Sequence, residues 1–213
     1  MELNKYKKEK LENHIYEHPD TYVGGCDLIE ENLPVWDRKE NKIDYRSGEL
    51  IPAIYKIFDE ILVNSRDQII RINERKLKED IPVTTLKISI NQETNEISIY
   101  NDGTGVDVAQ HPTELDKDGN KIWIPALIFG ELLTSINYDK NEKKIVGGKN
   151  GYGAKLTNIF SSQFELKTVD HIRGKKYVQK YKNNMKIKEE PIITNSKSKP
   201  YTKVSWITDF KRF

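Results

Sequence analysis

The stretch from Ile51 to Lys78 constrains the fold more than any other part of this chain. Ile54, Ile57, Phe58, Ile61, Leu62, Ile69 and Ile72 recur at helical spacing, so the segment forms a long helix that must bury one broad apolar face. Pro52 suits the first turn of that helix, where its missing N–H is no loss. Along the flank, Glu60, Asn64 and Gln68 recur every four residues and stack one above another, with Asp67 alongside. Such a row can be a solvated stripe. An acid and an amide set among large aliphatics in Phe58-Asp-Glu-Ile-Leu-Val-Asn64 nonetheless need a partner, whether water, a metal or a ligand.

A hairpin follows the helix: Leu86, Ile88 and Ile90 alternate, Gln92 to Asn95 turn the chain, and Ile97 and Ile99 alternate back. Its second strand ends in Tyr100-Asn-Asp-Gly-Thr-Gly-Val106. That is a common turn, but its glycines, Gly105 among them, also let a flat ring approach the backbone while Asp102 accepts a hydrogen bond from an exocyclic amine, as adenine would offer. Residues 107–122 read as loop with an exposed turn at Asp116 to Asn120. Pro125 starts a second helix running to Leu133, and a polar stretch from Thr134 to Lys144 has the character of a lid. Further strands are expected at Gln163 to Val169, Lys175 to Lys182 and Thr202 to Ile207, with a surface turn at Asn195 to Lys199. Residues 26–48 are expected to hold an edge strand or two with a hairpin tip at Asp37 to Lys42.

Between the lid and the later strands lies Gly147-Gly-Lys-Asn-Gly-Tyr-Gly-Ala-Lys-Leu156, with four glycines in seven positions directly before an amphipathic segment. Glycines that permit close approach, together with the unpaired N–H groups of a helix start, form a cradle for phosphates, flanked here by Lys149 and Lys155. The same residues could build a plain hairpin or helix cap. No Gly-x4-Gly-Lys-Ser/Thr and no dinucleotide Gly-x-Gly-x-x-Gly after a strand occurs, so any magnesium ligand must come from elsewhere in the chain.

Composition narrows the class. With 36% hydrophobic and 32% charged residues and a net charge of +2, the chain is globular but polar, and bulk charge does not argue for nucleic-acid binding; any DNA contact would have to be local. A single cysteine, Cys26, excludes an intrachain disulfide and suits a reduced, intracellular setting. The four histidines lack zinc spacing, and no apolar run approaches a membrane span.

The order of these features, a helix with Glu-x3-Asn, a strand ending in Asp-Gly-x-Gly, a lid, then a glycine loop opening a helix, resembles the GHKL ATP-binding fold of gyrase, the ninety-kilodalton heat-shock chaperones, histidine kinases and MutL proteins. The runs His18-Pro-Asp-Thr-Tyr-Val-Gly24, Tyr55-Lys-Ile-Phe-Asp-Glu-Ile-Leu-Val-Asn64, Pro125-Ala-Leu-Ile-Phe-Gly-Glu-Leu-Leu-Thr-Ser135, Asn137-Tyr-Asp139 and Asn150-Gly-Tyr-Gly-Ala-Lys-Leu-Thr-Asn-Ile-Phe-Ser161 look like the ATPase domain of eukaryotic-type type II DNA topoisomerases. The resemblance runs from about Tyr6 to the C-terminus. It implies an α+β two-layer sandwich, a mixed and mostly antiparallel sheet covered on one face by helices. The expected division is an N-terminal arm or strap over residues 1–24 and the ATPase domain over residues 25–213, with no transducer, Toprim or DNA-cleavage domain in this chain.

The resemblance also implies roles. Glu60 would be the general base that polarises a water for attack on the γ-phosphate, and Asn64 would hold Mg2+. Asp102 would read the adenine amine, with Gly105 beside it. Ser135, Ile136 and Asn137 would line the ribose and phosphates, and Gly148, Lys149, Asn150, Gly151, Tyr152, Gly153, Ala154 and Lys155 would wrap the triphosphate. Tyr6 would belong to an arm crossing to the partner of an ATP-dependent homodimer, and duplex DNA would be met through the full-length enzyme, with no membrane involved. A nucleus or viral replication site is the implied location, and the Lys/Ile/Asn-rich composition fits a protist or a large DNA virus. The alternatives are a non-hydrolysing ATP-dependent clamp and the ATPase domain of another GHKL family, MutL-like or chromatin-associated.

Three departures stand out. Relatives commonly show Asn-Ala-Ala-Asp-Asn where this chain has Asn64-Ser-Arg-Asp-Gln68, and Ile136 replaces a second serine. The chain also ends at Phe213, before the domain whose lysine reaches the γ-phosphate in the family, so slow hydrolysis is expected of it.

Overall fold

The computed structural model describes residues 9–75, 77–132 and 152–213. In chain order these form α1 (Leu11–Glu17), α2 (Pro19–Tyr22), β1 (Ile29–Asp37), β2 (Lys42–Leu50), α3 (Pro52–Arg75), β3 (Leu86–Asn91), β4 (Glu96–Asp102), β5 (Gln110–Leu115), β6 (Lys121–Trp123), α4 (Ile124–Gly130), α5 (Gly153–Ile159), β7 (Ser161–Asp170), β8 (Lys175–Lys182), β9 (Ile187–Lys188), β10 (Ile192–Asn195) and β11 (Tyr201–Thr208). The main sheet runs β10-β8-β7-β11-β4-β3 with β9 beside β8. Every pairing among the described residues is antiparallel, which sharpens the expected mixed sheet.

Side chains alternate across that sheet and decide where the core lies. One face carries Ile99, Val204, Trp206, Phe164, Leu166, Tyr177 and Tyr181, all buried. Helix α3 lies on this face: Ala53, Ile57 and Ile61 are buried and Phe58 meets Trp206 at 6.4 Å between ring centroids. Helix α5 contributes Leu156 and Ile159, and its C-terminal flank Phe160, to the same core. The result is helices over one face of an antiparallel sheet, as the long amphipathic helix demanded.

Polar ties fix the helices relative to one another. The Thr157 hydroxyl donates to Ile57 O at 2.7 Å, locking α5 to α3, and Asn158 Nδ2 donates to Phe129 O at 3.1 Å, locking α5 to α4. Gln68 Nε2 donates to Thr104 O at 3.0 Å, so the residue that departs from the family pattern joins α3 to the loop after β4.

One expectation needs correction. Residues 107–122 are not all loop: β5 and β6 form a small hairpin around the Asp116–Asn120 turn, although Gln110-His-Pro-Thr-Glu-Leu lacks alternation. Over its described part, the residue 1–24 arm packs on the rest of the chain. Ile15 is fully buried, Tyr16 OH donates to Asp209 Oδ2 at 3.0 Å, and Arg212 Nε donates to Tyr16 O at 2.8 Å. Apolar contact with Phe160 draws α1 onto the domain. Tyr6 lies outside the described residues. By contrast β1 and β2 make a nine-rung hairpin of their own, leaving Trp36, Ile43 and Tyr45 exposed. Among the described residues, no helix is long and apolar enough to cross a membrane.

Candidate active site

The long helix and the glycine-opened helix meet at one point. A Cβ built on Gly153, the first residue of α5, would collide with Glu60 Oε2 and lie 3.7 Å from Asn64 Nδ2. The carboxylate and amide one turn apart on α3 therefore point at the backbone that starts α5, and only glycine leaves room for them. Among the described residues the backbone ladder of α5 begins with the bond from Leu156 N–H to Tyr152 O at 2.9 Å, and Gly153 and Ala154 stand at the N-terminal end of the helix. A helix start facing a carboxylate and an amide can hold a polyanion together with a water or hard cation.

Lys56, which sequence reasoning passed over, completes this arrangement. Its ammonium holds Glu60 Oε1 at 2.5 Å, and the hydrogen bond it donates to Glu60 raises the lysine above its ordinary pKa against the opposing effect of burial. One oxygen of Glu60 is thus engaged while the other faces Gly153. The i, i+4 spacing on the helix was the available signal. Asp67, buried deeper on α3, has an Oδ1 with no hydrogen-bond partner among the described residues, the Arg66 guanidinium lying 3.6 Å away.

Lys155 is 3% exposed. Burial pushes its pKa down to about 8, with the Glu131 carboxylate acting in the opposite direction. Ala154 is buried in the core, so it can offer a ligand only its backbone. Tyr152 stands at the head of α5 with its ring edge toward Tyr22, 6.2 Å between centroids. Ser135, Ile136, Asn137, Gly148, Lys149, Asn150 and Gly151 lie outside the described residues.

Asp102 is not placed as expected. Successive side chains on β4 take opposite faces, and Ile99 packs into the core, so Asn101 shares the helix-covered face and Asp102 points to the other. Both Asp102 oxygens are occupied: Oδ1 accepts from Thr84 N and Thr85 N at 2.8 Å each, and Oδ2 from Thr84 Oγ1 at 2.6 Å. Burial works against its charged form, but these bonds outweigh it and hold the carboxyl below its usual range. Gly105 also has a different reason to be glycine, since a Cβ there would meet Thr168 Oγ1 at 2.7 Å and Tyr201 O at 3.1 Å. It lets the loop pass the ends of β7 and β11. The residue in the expected position is Asn101, 3% exposed, with Nδ2 donating to Asp102 O at 2.9 Å. Cross-strand pairing puts it in one row with Thr202 and Thr168, a polar strip in an otherwise apolar layer.

A helix-covered antiparallel sheet with this Glu-x3-Asn pair against a glycine-opened helix is the architecture of GHKL ATP-binding domains. Comparison with known proteins narrows the class. The chain is 46% identical over 215 residues to DNA topoisomerase 2 of Acanthamoeba polyphaga mimivirus and 46% identical over 209 residues to that of Pisum sativum, each match covering 98% of this chain. The crystal structure of the Saccharomyces cerevisiae topoisomerase II ATPase region bound to dexrazoxane superimposes with a TM-score of 0.87 at 41% identity, over 98% of this chain and 52% of that one. The ATPase and transducer domains of the Balamuthia mandrillaris enzyme give 0.86 at 38% identity, over 100% of this chain and 52% of that one. No family model matches the chain. The chain belongs to the topoisomerase II family and corresponds to part of its ATPase region. It spans 16% and 13% of the two curated relatives.

Proposed function

We propose that this chain binds ATP between α3 and the start of α5 and hydrolyses it, and that the binding step pairs two copies to close a gate on duplex DNA. The convergence of Glu60 and Asn64 on Gly153 carries the reading. Glu60 Oε2 is the oxygen positioned to accept a proton from water, while Lys56 restrains the other oxygen and so limits the rotamers of the base. The N–H groups at the head of α5 and the buried ammonium of Lys155 receive the phosphates.

Mg2+ suits this donor set. Among the described residues no group of three His, Cys, Asp or Glu could cage a metal, whereas one amide oxygen from Asn64 fits an ion held mostly by phosphates and water. Bound there, the ion would neutralise phosphate charge. The adenine amine is read by the amide of Asn101 instead of Asp102, because Asn101 alone of the two shares the face of the sheet that α3 covers.

Glu60→Gln tests hydrolysis against the alternative of a non-hydrolysing clamp. The reading expects ATP affinity within a few-fold of the original and phosphate release lowered at least ~100-fold, the usual worth of a general base. Unchanged release refutes it. Sedimentation with a non-hydrolysable analogue checks the pairing of two copies.

A further inference from the structure

The face of the sheet away from the helices carries a row of lysines that the ATP site does not use. Cross-strand register places Lys87 of β3, Tyr100 of β4, Lys203 of β11 and Lys167 of β7 side by side in one line. Lys176, Lys180 and Lys182 continue the same face on β8, opposite Val169, Glu165 and Gln163 of β7. The carboxylates among them are few and mostly engaged. Asp102 is taken by Thr84 and Thr85, and Glu165 pairs with Lys167 and, at 3.7 Å, with Lys180. Lys203 has no carboxylate within ion-pair distance among the described residues, and Lys87 only rests over the Tyr100 ring at 5.9 Å.

Like charges on neighbouring strands cost stability unless an anion lies across them. The row next to the lysines consists of Ser89, Ser98 and Ser205, short side chains that leave a shallow hollow of about 260 Å3 lined by Lys87, Ser89, Ser98, Tyr100 and Lys203. With strands ~4.8 Å apart, Lys87 to Lys167 spans about 14 Å, the rise over which one strand of a duplex presents about four phosphates. The chain as a whole carries only +2, so this is a local concentration of positive charge and not a reflection of composition.

We propose that this open sheet face binds the phosphate backbone of duplex DNA, through Lys87, Lys203 and Lys167. The inference shares the family reading of the chain but is independent of the ATP pocket, which lies on the opposite face. It predicts contacts to phosphates alone and hence binding without sequence preference.

The test is fluorescence anisotropy of a 20-base-pair duplex against the full 213-residue chain over a salt series, comparing Lys87→Gln with Lys203→Gln together against Lys39→Gln with Lys42→Gln together. The second pair removes the same charge from the β1–β2 hairpin, which is not part of the main sheet. Lys167 is left in place because its removal would leave Glu165 short of a partner. The sheet-face pair should lower the slope of log K against log salt by about 1.8, since each phosphate contact is worth ~0.9, and the hairpin pair should leave it unchanged. Equal loss by both pairs, loss by neither, or no duplex binding by the parent chain at low salt overturns the proposal. So does displacement of the duplex by poly-glutamate at equal charge concentration, which would assign the face to an acidic polypeptide. ATP binding, measured in parallel on each variant, reports whether the fold is intact; its absence in the parent chain would refute the ATP reading while leaving the DNA result interpretable.

Discussion

Gly153→Ala separates stability from chemistry more sharply than removal of any catalytic group. Gly153 does not occupy the left-handed region, so alanine fits the backbone, and within an element that prefers helix the exchange stabilises by ~0.4–1 kcal/mol. The new methyl collides with Glu60 Oε2, the far end of a flexible side chain that can swing aside. That swing costs the Lys56 ion pair, worth ~0.3–0.5 kcal/mol because Lys56 is well exposed to solvent. The two terms nearly cancel, so the melting temperature should stay within a few degrees of its original value. The carboxylate, however, is no longer aimed at the head of α5, and loss of an aligned general base lowers turnover ~10²–10⁴-fold. Differential scanning fluorimetry and steady-state phosphate release read the two arms. Parent-level turnover with the alanine in place would refute the claim that this glycine exists to admit Glu60, and a collapse in stability would refute the claim that only a side-chain end has to move.

Other outcomes follow from the same geometry. Lys155 has a folded pKa of about 8, below the ordinary 10.5, so its burial penalty is fully present below pH 8 and fades as pH rises toward 10.5, where the folded chain releases its proton first; the free protein should gain stability across that window in urea titrations. If phosphates pair with this ammonium, binding takes up a proton there, and ATP affinity should fall by up to ~10-fold per pH unit above 8; a flat profile from 7.5 to 9.5 by calorimetry counts against the role. Asp102→Ala should cost ~0.5–1.5 kcal/mol by removing its bonds to Thr84 and Thr85, whose donors water can then satisfy, yet leave ATP affinity within a few-fold, whereas Asn101→Ala should abolish discrimination between ATP and GTP; the reverse pattern in competition binding restores Asp102 as the reader. Gly130→Ala places a methyl 2.6 Å from the Tyr181 hydroxyl and should destabilise by ~1–3 kcal/mol through overpacking, seen in thermal melts with no change in ATP affinity.

Periodicity explains both what the sequence revealed and where it misled. Helix α3 and the β3–β4 hairpin were legible because their apolar residues repeat at 3.6 and 2.0, and Glu60 and Asn64 were legible because four residues make about one turn. The same rule contained the answer for Asn101. Ile97 and Ile99 define the buried side of β4, so residue 101 continues it and residue 102 leaves it. The chemistry of a carboxylate drew attention to Asp102, while parity, the stronger physical constraint, pointed one residue earlier. Hairpin β5–β6 offered no such signal, because a strand of Gln, His, Pro, Thr and Glu is held by its turn and by the packing of Ile122, not by alternation. The packing role of Gly105 was invisible for a different reason: what crowds it is Val169, Thr168 and Tyr201, more than sixty residues away in sequence. The lysine row is the same kind of feature. Lys87, Lys167 and Lys203 are unremarkable apart, each flanked by residues of another kind, and only the order β3-β4-β11-β7 sets them in line. Pairwise register is therefore the level at which this chain's charge acquires a direction, and net composition could not have disclosed it.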